Sequence, residues 1–304
     1  MKNNILILLC VAVACLSSCG QSYKQKQRLS RAERLEQARR DSAALKVAVT
    51  PTMDCLPVFL AAEDSLFQRG GVDVHLKPVA SKTDGDTLLL GGGAEGAVTD
   101  LVMGEHLRQQ GLPMKYVAAT NAYWQVVSNR LARIKELRQM SDKMIAVSRY
   151  AASEYVADVA VSRAKPKEAV YRIQMGSVPL RLKMLLNNEM DVAVLPEPQA
   201  TVARLRHHPV LLDTRDLGMH LGVVAFSEKA LHNKDRQKQV ELFLKVYNQA
   251  VDSINTRGVA HYSKLIEKYT GADANTLKEL PKNTYQHAVP PKTADVARAK
   301  NFVR

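Results

Sequence analysis

The stretch LKVAVTPTMDCLPVFLAAEDSLFQRGGVDVHL, Leu45 to Leu76, sets the architecture. Leu45 to Val49 is a short apolar run, the pattern of a buried strand. Thr50-Pro51-Thr52 breaks it, because proline fixes φ and withholds a donor. Asp54 to Phe67 repeats apolar residues at helical spacing, and Gly70-Gly71 stops the repeat. Val72 to Val79, VDVHLKPV, alternates and predicts a second strand. Strand, helix and strand in this order predict an α/β fold.

The same alternation continues outward. A helix follows Thr83 and ends near Gly91, Gly96 to Val98 is a short strand, and a helix opens near Thr99-Asp100. Met114 to Thr120, Tyr123 to Asn129, Lys143 to Arg149, Ala169 to Met175 and Asp191 to Pro198 read as strands. Helices are expected over Ile134 to Met140, Ala151 to Ser162 and Leu180 to Asn187. HPVLLDT and LGVVAFS are further extended runs, and the tail from Lys234 is helical. About 260 residues suffice for two lobes.

The N-terminus reads differently. Lys2 is the only charge before residue 20, and Ile5 to Leu16 is apolar. That run is shorter than the roughly 20 residues of a bilayer span and fits the hydrophobic region of a signal peptide, residues 1–18. Leu16-Ser17-Ser18-Cys19 resembles the lipobox of bacterial lipoproteins, which implies cleavage before Cys19 and lipid on its thiol. Cys10 and Cys15 would leave with the leader, so Cys55 would stand alone and no intrachain disulfide would form. Residues 19–45 are expected to be a tether, basic with seven Lys/Arg against three Asp/Glu over Gln21 to Leu45. The net charge is +13. Part of it lies in the leader and tether, and nucleic-acid binding fits poorly with an exported chain. No GxSxG, HExxH or phosphate-binding glycine loop occurs, and His207-His208 sits in a polar stretch before Pro209.

Taken in order, VAVTPTMDCLPVFLAAEDSLFQRGGVDVHL, LLLGGGAEGAVTD, YWQVVSNRLARIKELRQMSDKMIAVSR and LNNEMDVAVLPEPQA resemble type 2 periplasmic substrate-binding proteins of ABC transporters. The nearest group is the nitrate/sulfonate/taurine/thiamine-precursor (SsuA/THI5-like) one. Glu95 stands near the acidic residue of the family's GxxDxA phrase, and the cysteine-rich cluster of the thiamine-pyrimidine branch is missing. The resemblance implies two α/β lobes joined by two crossing strands, with mixed sheets and a ligand cleft between lobes. Residues 46–121 and 223–304 would form one lobe and 122–222 the other. It also implies a partner permease and ATPase.

Open α/β sheets take ligands beyond the carboxyl ends of their strands, where helix starts offer free N–H groups. Thr52 or Asp54 either caps the helix after the first strand or faces the cleft with Cys55. Thr99 and Asp100 stand at the next such turn, with the same two readings. Ser148 is a natural N-cap in the second lobe, Arg149 could bind an anion, and Tyr150 could close over a ligand. Glu197, between two prolines, either accepts a donor from the ligand or braces the hinge. Asn121, Tyr123 and Trp124 lie at the lobe crossover, and Trp124 is either core or a flat wall of the site. His220 precedes the return strand. Asp54, Asp84, Asp100 and Glu197 could favour a cation, and Lys82, Arg149 and Arg172 a sulfonate or phosphonate; the net anionic balance puts an amine-bearing or heterocyclic ligand ahead of an oxyanion. The expected function is that of a monomeric solute-binding lipoprotein facing the periplasm, with no catalysis, cofactor or metal. An enzyme on the same fold acting on a pyrimidine-like molecule is one alternative. A binding lipoprotein without a transporter is the other.

Overall fold

The computed structural model describes residues 41–303 together with Glu36 and Arg39. The expected leader, Cys19 and most of the tether lie outside the described residues. Everything below belongs to the unit that begins at Leu45.

β1 (Leu45–Val49) is buried along most of its length and pairs in parallel with β2 (Val74–Pro78) and β3 (Gly96–Asp100). Two crossover helices, α1 (Leu56–Glu63) and α2 (Lys82–Leu90), make those parallel pairings possible. Next, α3 (Leu101–Gln109) leads to β4 (Met114–Ala119). The chain then leaves for a second sheet. β5 (Gln125–Ser128), β6 (Met144–Val147), α4 (Ala152–Ala164), β7 (Tyr171–Gln174), α5 (Val178–Leu186), β8 (Val192–Leu195), α6 (Gln199–Leu205) and β9 (Val210–Asp213) follow in order. β10 (Gly222–Ser227) returns to the first sheet and lies antiparallel between β3 and β4. The strand orders are β2-β1-β3-β10-β4 and β7-β6-β8-β5-β9. Both sheets are mixed, because in each the strand entered from a crossing segment runs against its neighbours.

The tail packs on the first sheet. In α7 (Lys234–Arg257), Phe243, Val246, Tyr247, Ala250 and Ile254 recur at three- and four-residue intervals and are buried. The Phe243 ring lies 5.2 Å from Phe67 and 5.5 Å, edge-on, from Phe226. Then come α8 (Ser263–Thr270) and α9 (Thr293–Val303). Residues 281–292 between them carry no regular structure, since Pro281, Pro290 and Pro291 cannot donate to a helix or ladder.

Two expected helices differ from the observed ones. The run Asp54 to Phe67 begins with a tight turn over Met53–Cys55, becomes α1, and breaks at Ser65, whose φ of 53° is left-handed. Ile134 to Met140 condenses to one turn over Leu137–Met140, because so few residues seldom sustain an α-helix.

Gly96 opens β3 against the core. A Cβ there would stand 2.4 Å from the Phe226 ring and 2.8 Å from the carbonyl of Ala225. Phe226 is fully buried and cannot swing aside. Gly96→Ala is therefore expected to lower unfolding free energy by about 1–3 kcal/mol in a urea titration.

The two crossing segments are tied to each other. Thr214 N donates to the Trp124 carbonyl at 3.0 Å, Trp124 N to Thr214 Oγ1 at 3.0 Å, and Thr120 N to the Gly222 carbonyl at 2.9 Å. This paired ribbon is the only covalent link between the sheets among the described residues.

Candidate functional site

The parallel strands of both sheets point their carboxyl ends at one another. Four turns meet there: Pro51 to Cys55 after β1, Asp100 at the end of β3, Ser148 to Ala151 after β6, and Pro196 to Gln199 after β8. Met53 N donates to the Glu197 carbonyl at 3.0 Å, and Gln199 Nε2 to the Pro51 carbonyl at 3.1 Å. Ser81 and Ser177 form an antiparallel bridge. The structure is thus closed, with protein groups of the two lobes bonded directly.

Asp100 is the centre of that closure. Its Oδ1 accepts the Met103 N–H at 2.9 Å, capping α3, and the Ala152 N–H at 3.0 Å, at the start of α4. The N-cap of α4 is Ala151, which has no side-chain acceptor. Asp100 supplies one from the other lobe, where the helix dipole favours negative charge. Ser148, the cap expected from sequence, is displaced from that role by the intervening Arg149 and Tyr150. Tyr150 takes the left-handed φ of 59°. Ser148 N instead donates to Ser153 Oγ at 2.8 Å.

The four turns enclose a cavity of about 20 Å³ lined by Thr52, Asp54, Asp100, Trp124, Ser148 and Arg181. That is room for about one water. Five of the residues singled out from sequence meet there. Thr52 makes no capping bond, and its hydroxyl faces that of Thr50 at 3.0 Å. Asp54 is 5% exposed, and its carboxylate has neither hydrogen bond nor ion pair among the described residues. Ser148 Oγ is buried with no hydrogen-bond partner among them. Trp124 is buried, touching both the apolar core and the cavity.

Others lie elsewhere. Cys55 is fully buried in the core behind the turn. Thr99 is buried within β3 opposite Val223 and does not line the cavity. Glu197 lines an adjoining recess with Asn121, Tyr123 and Asn283. Its Oε1 accepts from the Tyr123 hydroxyl and from Arg204, each at 2.8 Å, and its Oε2 from Thr201 N and Oγ1. Burial, and next the Glu197 charge, push the Tyr123 hydroxyl well above its ordinary pKa. Tyr150 is 39% exposed. Among the residues weighed for charge, Asp84 is exposed at the start of α2, and Arg172 pairs with Asp158.

Arg181 is the residue that sequence reasoning missed. It lies on α5 and is 2% exposed, and its Nε and Nη1 have no hydrogen-bond partner among the described residues. Burial lowers its pKa to about 10, against the opposing effect of the Asp100 charge, so it stays cationic at neutral pH. The signal was present in VPLRLKMLL. Val178, Arg181 and Leu185 share the buried face of α5 at three- and four-residue spacing.

A larger cavity of about 320 Å³ opens outside the crossing segments, lined in part by Tyr123, Arg215, His220, Lys282 and Lys292. Arg215 lies 3.9 Å from the Tyr123 ring and forks onto Asp213. Burial pushes the Asp213 carboxyl up, but the hydrogen bonds from Arg215 and Gln125 together outweigh it and hold the group below the usual carboxylate range.

His106 on α3 stacks on Tyr150 at 4.0 Å, joining the two lobes at the cleft rim. The Arg149 guanidinium lies 4.7 Å from the same ring. Burial, then the Arg149 charge, lower the His106 pKa, with Glu154 opposing. A depressed histidine favours its neutral form. The contact is therefore complete above about pH 6.5 and is lost as pH falls through the lowered value. Small-angle scattering is expected to show the radius of gyration rising on acidification, and His106→Asn is expected to flatten that response.

Two mixed sheets, joined by a double crossing and holding a polar cavity between their strand ends, define a periplasmic binding protein fold. The chain belongs to the NMT1/THI5 like family, whose model matches residues 52–256, about two thirds of its length. Solved structures agree on the fold. The ligand-binding component of an ABC-type import system from Staphylococcus aureus superposes with a TM-score of 0.70 at 14% identity, over 86% of this chain and 90% of that one. The periplasmic aliphatic sulphonate binding protein SsuA from Escherichia coli gives 0.67 at 15% identity, over 86% and 90%. The periplasmic nitrate-binding protein NrtA from Synechocystis PCC 6803 gives 0.64 at 14%, over 82% and 74%. No curated protein matches the chain by sequence. Among the described residues, no helix is long and apolar enough to cross a membrane.

Proposed function

We propose that this protein is the solute-binding lipoprotein of an ABC importer. It captures a small organic molecule between its lobes and delivers it to a membrane permease driven by an ATPase. One observation carries the reading: turns from the strand ends of two separate sheets converge on one polar cavity, with unpartnered side chains inside it. The cavity of about 20 Å³ is too small for such a molecule, so loading needs the lobes to part about the crossing segments. Sulphonate- and nitrate-binding neighbours with the same fold support the transport role.

The remaining assignments belong to this proposal. Residues 1–18 are a signal peptide, Cys19 carries the lipid, and residues 19–45 hold the body off the membrane. Residues 46–121 and 223–304 move as one lobe and 122–222 as the other. The protein works as a monomer facing the periplasm and performs no chemistry on its solute.

Native mass spectrometry of the protein purified from its own envelope fraction tests this. One small molecule per chain is expected. Returning that molecule to the stripped protein should raise the melting temperature, since a ligand that binds only the folded state stabilises it. An empty spectrum, or conversion of the molecule to a product, would overturn the reading.

A further inference from the structure

The cavity outside the crossing segments has no part in the cleft. Its volume of about 320 Å³ falls in the range of small-molecule sites, roughly 300–1,000 Å³. Among the described residues, Ala122 is the one lining residue it shares with the inner cavity. One wall is the ribbon of crossing segments, residues 119–123 with Arg215 and His220. The facing wall is the irregular segment 281–292, which brings Lys282 and Lys292.

That second wall is held in place although it forms no helix or strand. The Asn255 side chain on α7 donates to the Tyr285 carbonyl at 2.8 Å and accepts the Tyr285 N–H at 2.9 Å. Asn248 Oδ1 accepts the Ala288 N–H at 2.7 Å, and the Val289 carbonyl accepts the Ala119 N–H at 2.6 Å. The Tyr285 hydroxyl donates to the Met53 carbonyl at 2.9 Å. Three prolines restrict the backbone between these ties. On the ribbon side, Arg215 is fixed by its fork onto Asp213 and by the Tyr123 ring beneath it. Walls set in advance lose little freedom when a ligand enters.

The charges define what would enter. Arg215, Lys282 and Lys292 bring three positive charges, and no Asp or Glu lines the cavity among the described residues. Asp213 pairs with Arg215 and cancels one of the three, which leaves two. Between the cations the lining is apolar, with Ala119, Ala122, Met219 and Val289.

We propose that this outer cavity is a second ligand site, which takes a small organic dianion. A dicarboxylate and a phosphate monoester share that chemistry: two negative charges on a short carbon skeleton. The planar fork of Arg215 suits the oxygens of either group, and the two lysines act as point charges facing it. The bound ion spans from the crossing segments to the segment tied to α7. The site does not depend on what fills the cleft.

Isothermal titration of the full-length protein tests this with succinate, glutarate and glycerol phosphate. Butyrate and glycerol are the matched probes that lack one or both charges. At least one dianion is expected to bind, roughly tenfold or more tighter than butyrate. Binding should weaken as salt rises, because Lys282 and Lys292 are exposed. Combining Lys282→Gln with Lys292→Gln should weaken the dianion roughly tenfold or more while the variant melts like wild type. Arg181→Gln, which alters the inner cavity instead, should bind the dianion as wild type does. No binding by any of the three dianions overturns the proposal. So does equal binding of butyrate, or an affinity that survives the lysine substitutions. Loss of binding in an Arg181→Gln protein that still melts cooperatively puts the ion in the cleft and also overturns it. Should Arg181→Gln not fold, the lysine variant decides alone.

Discussion

Asp100→Ala is expected to cost about 3–5 kcal/mol of unfolding free energy and to leave the lobes apart. The substitution removes the acceptor for Met103 N and Ala152 N, at the first turns of α3 and α4. Neither helix start has a substitute, since Ala151 offers no side-chain acceptor. It also strips Arg181 of the negative charge that offsets its burial. Removing one member of a buried charged set leaves the other uncompensated, which places the effect in the range of broken buried ion pairs. Asp100→Asn separates the parts. Its amide oxygen can still accept both N–H groups while the charge is gone, so the smaller loss it shows measures the electrostatic share. Urea denaturation gives the free energies, and small-angle scattering gives the opening. An alanine variant within about 0.5 kcal/mol of wild type would mean that Asp100 does not hold the closed form.

Glu197→Ala should cost about 3 kcal/mol. Its carboxylate is 4% exposed at the residue level and takes donors from Tyr123, Thr201 and Arg204. Truncation leaves the hydroxyls of Tyr123 and Thr201 and a half-buried guanidinium without their acceptor. Because Arg204 reaches solvent, the cost falls at the lower end for a broken charged network. Glu197→Gln keeps one oxygen and should lose clearly less. The effect on solute affinity is expected to be smaller than that on stability. A Glu197→Ala protein that unfolds like wild type but no longer binds would reverse these roles.

The fold was legible because its signals are periodic. The βαβ unit from Leu45 to Leu76 declares itself by an apolar run, a proline break and a double glycine. The order of strands and helices after it follows the same punctuation. What escaped was local. Ser65 breaks a helix through a backbone angle that no apolar spacing records. The cap of α4 comes from Asp100, about fifty residues earlier and across the cleft, and no sequence window contains both. At the site, strand ends located Thr52, Asp54, Asp100 and Ser148, because the geometry of open sheets fixes where they point. Cys55 and Thr99 are neighbours of those residues that face the core instead, since adjacent positions in a turn or strand point apart. Arg181 lies on a helix face that reads as apolar. An arginine there looks like a solvated interruption until its burial is seen.

The place of β10 has a bearing on how this chain is made. It lies between β3 and β4, so it is an interior member of the first sheet and also the last strand synthesised. Until Ser227 has left the ribosome, the early part of the chain has β4 with no neighbour to join. The second sheet, whose strands all lie between Gln125 and Asp213, has every piece in hand before that moment. The strands of the middle segment are therefore all available to pair first, while the sheet begun earliest still lacks the strand that sits in its interior.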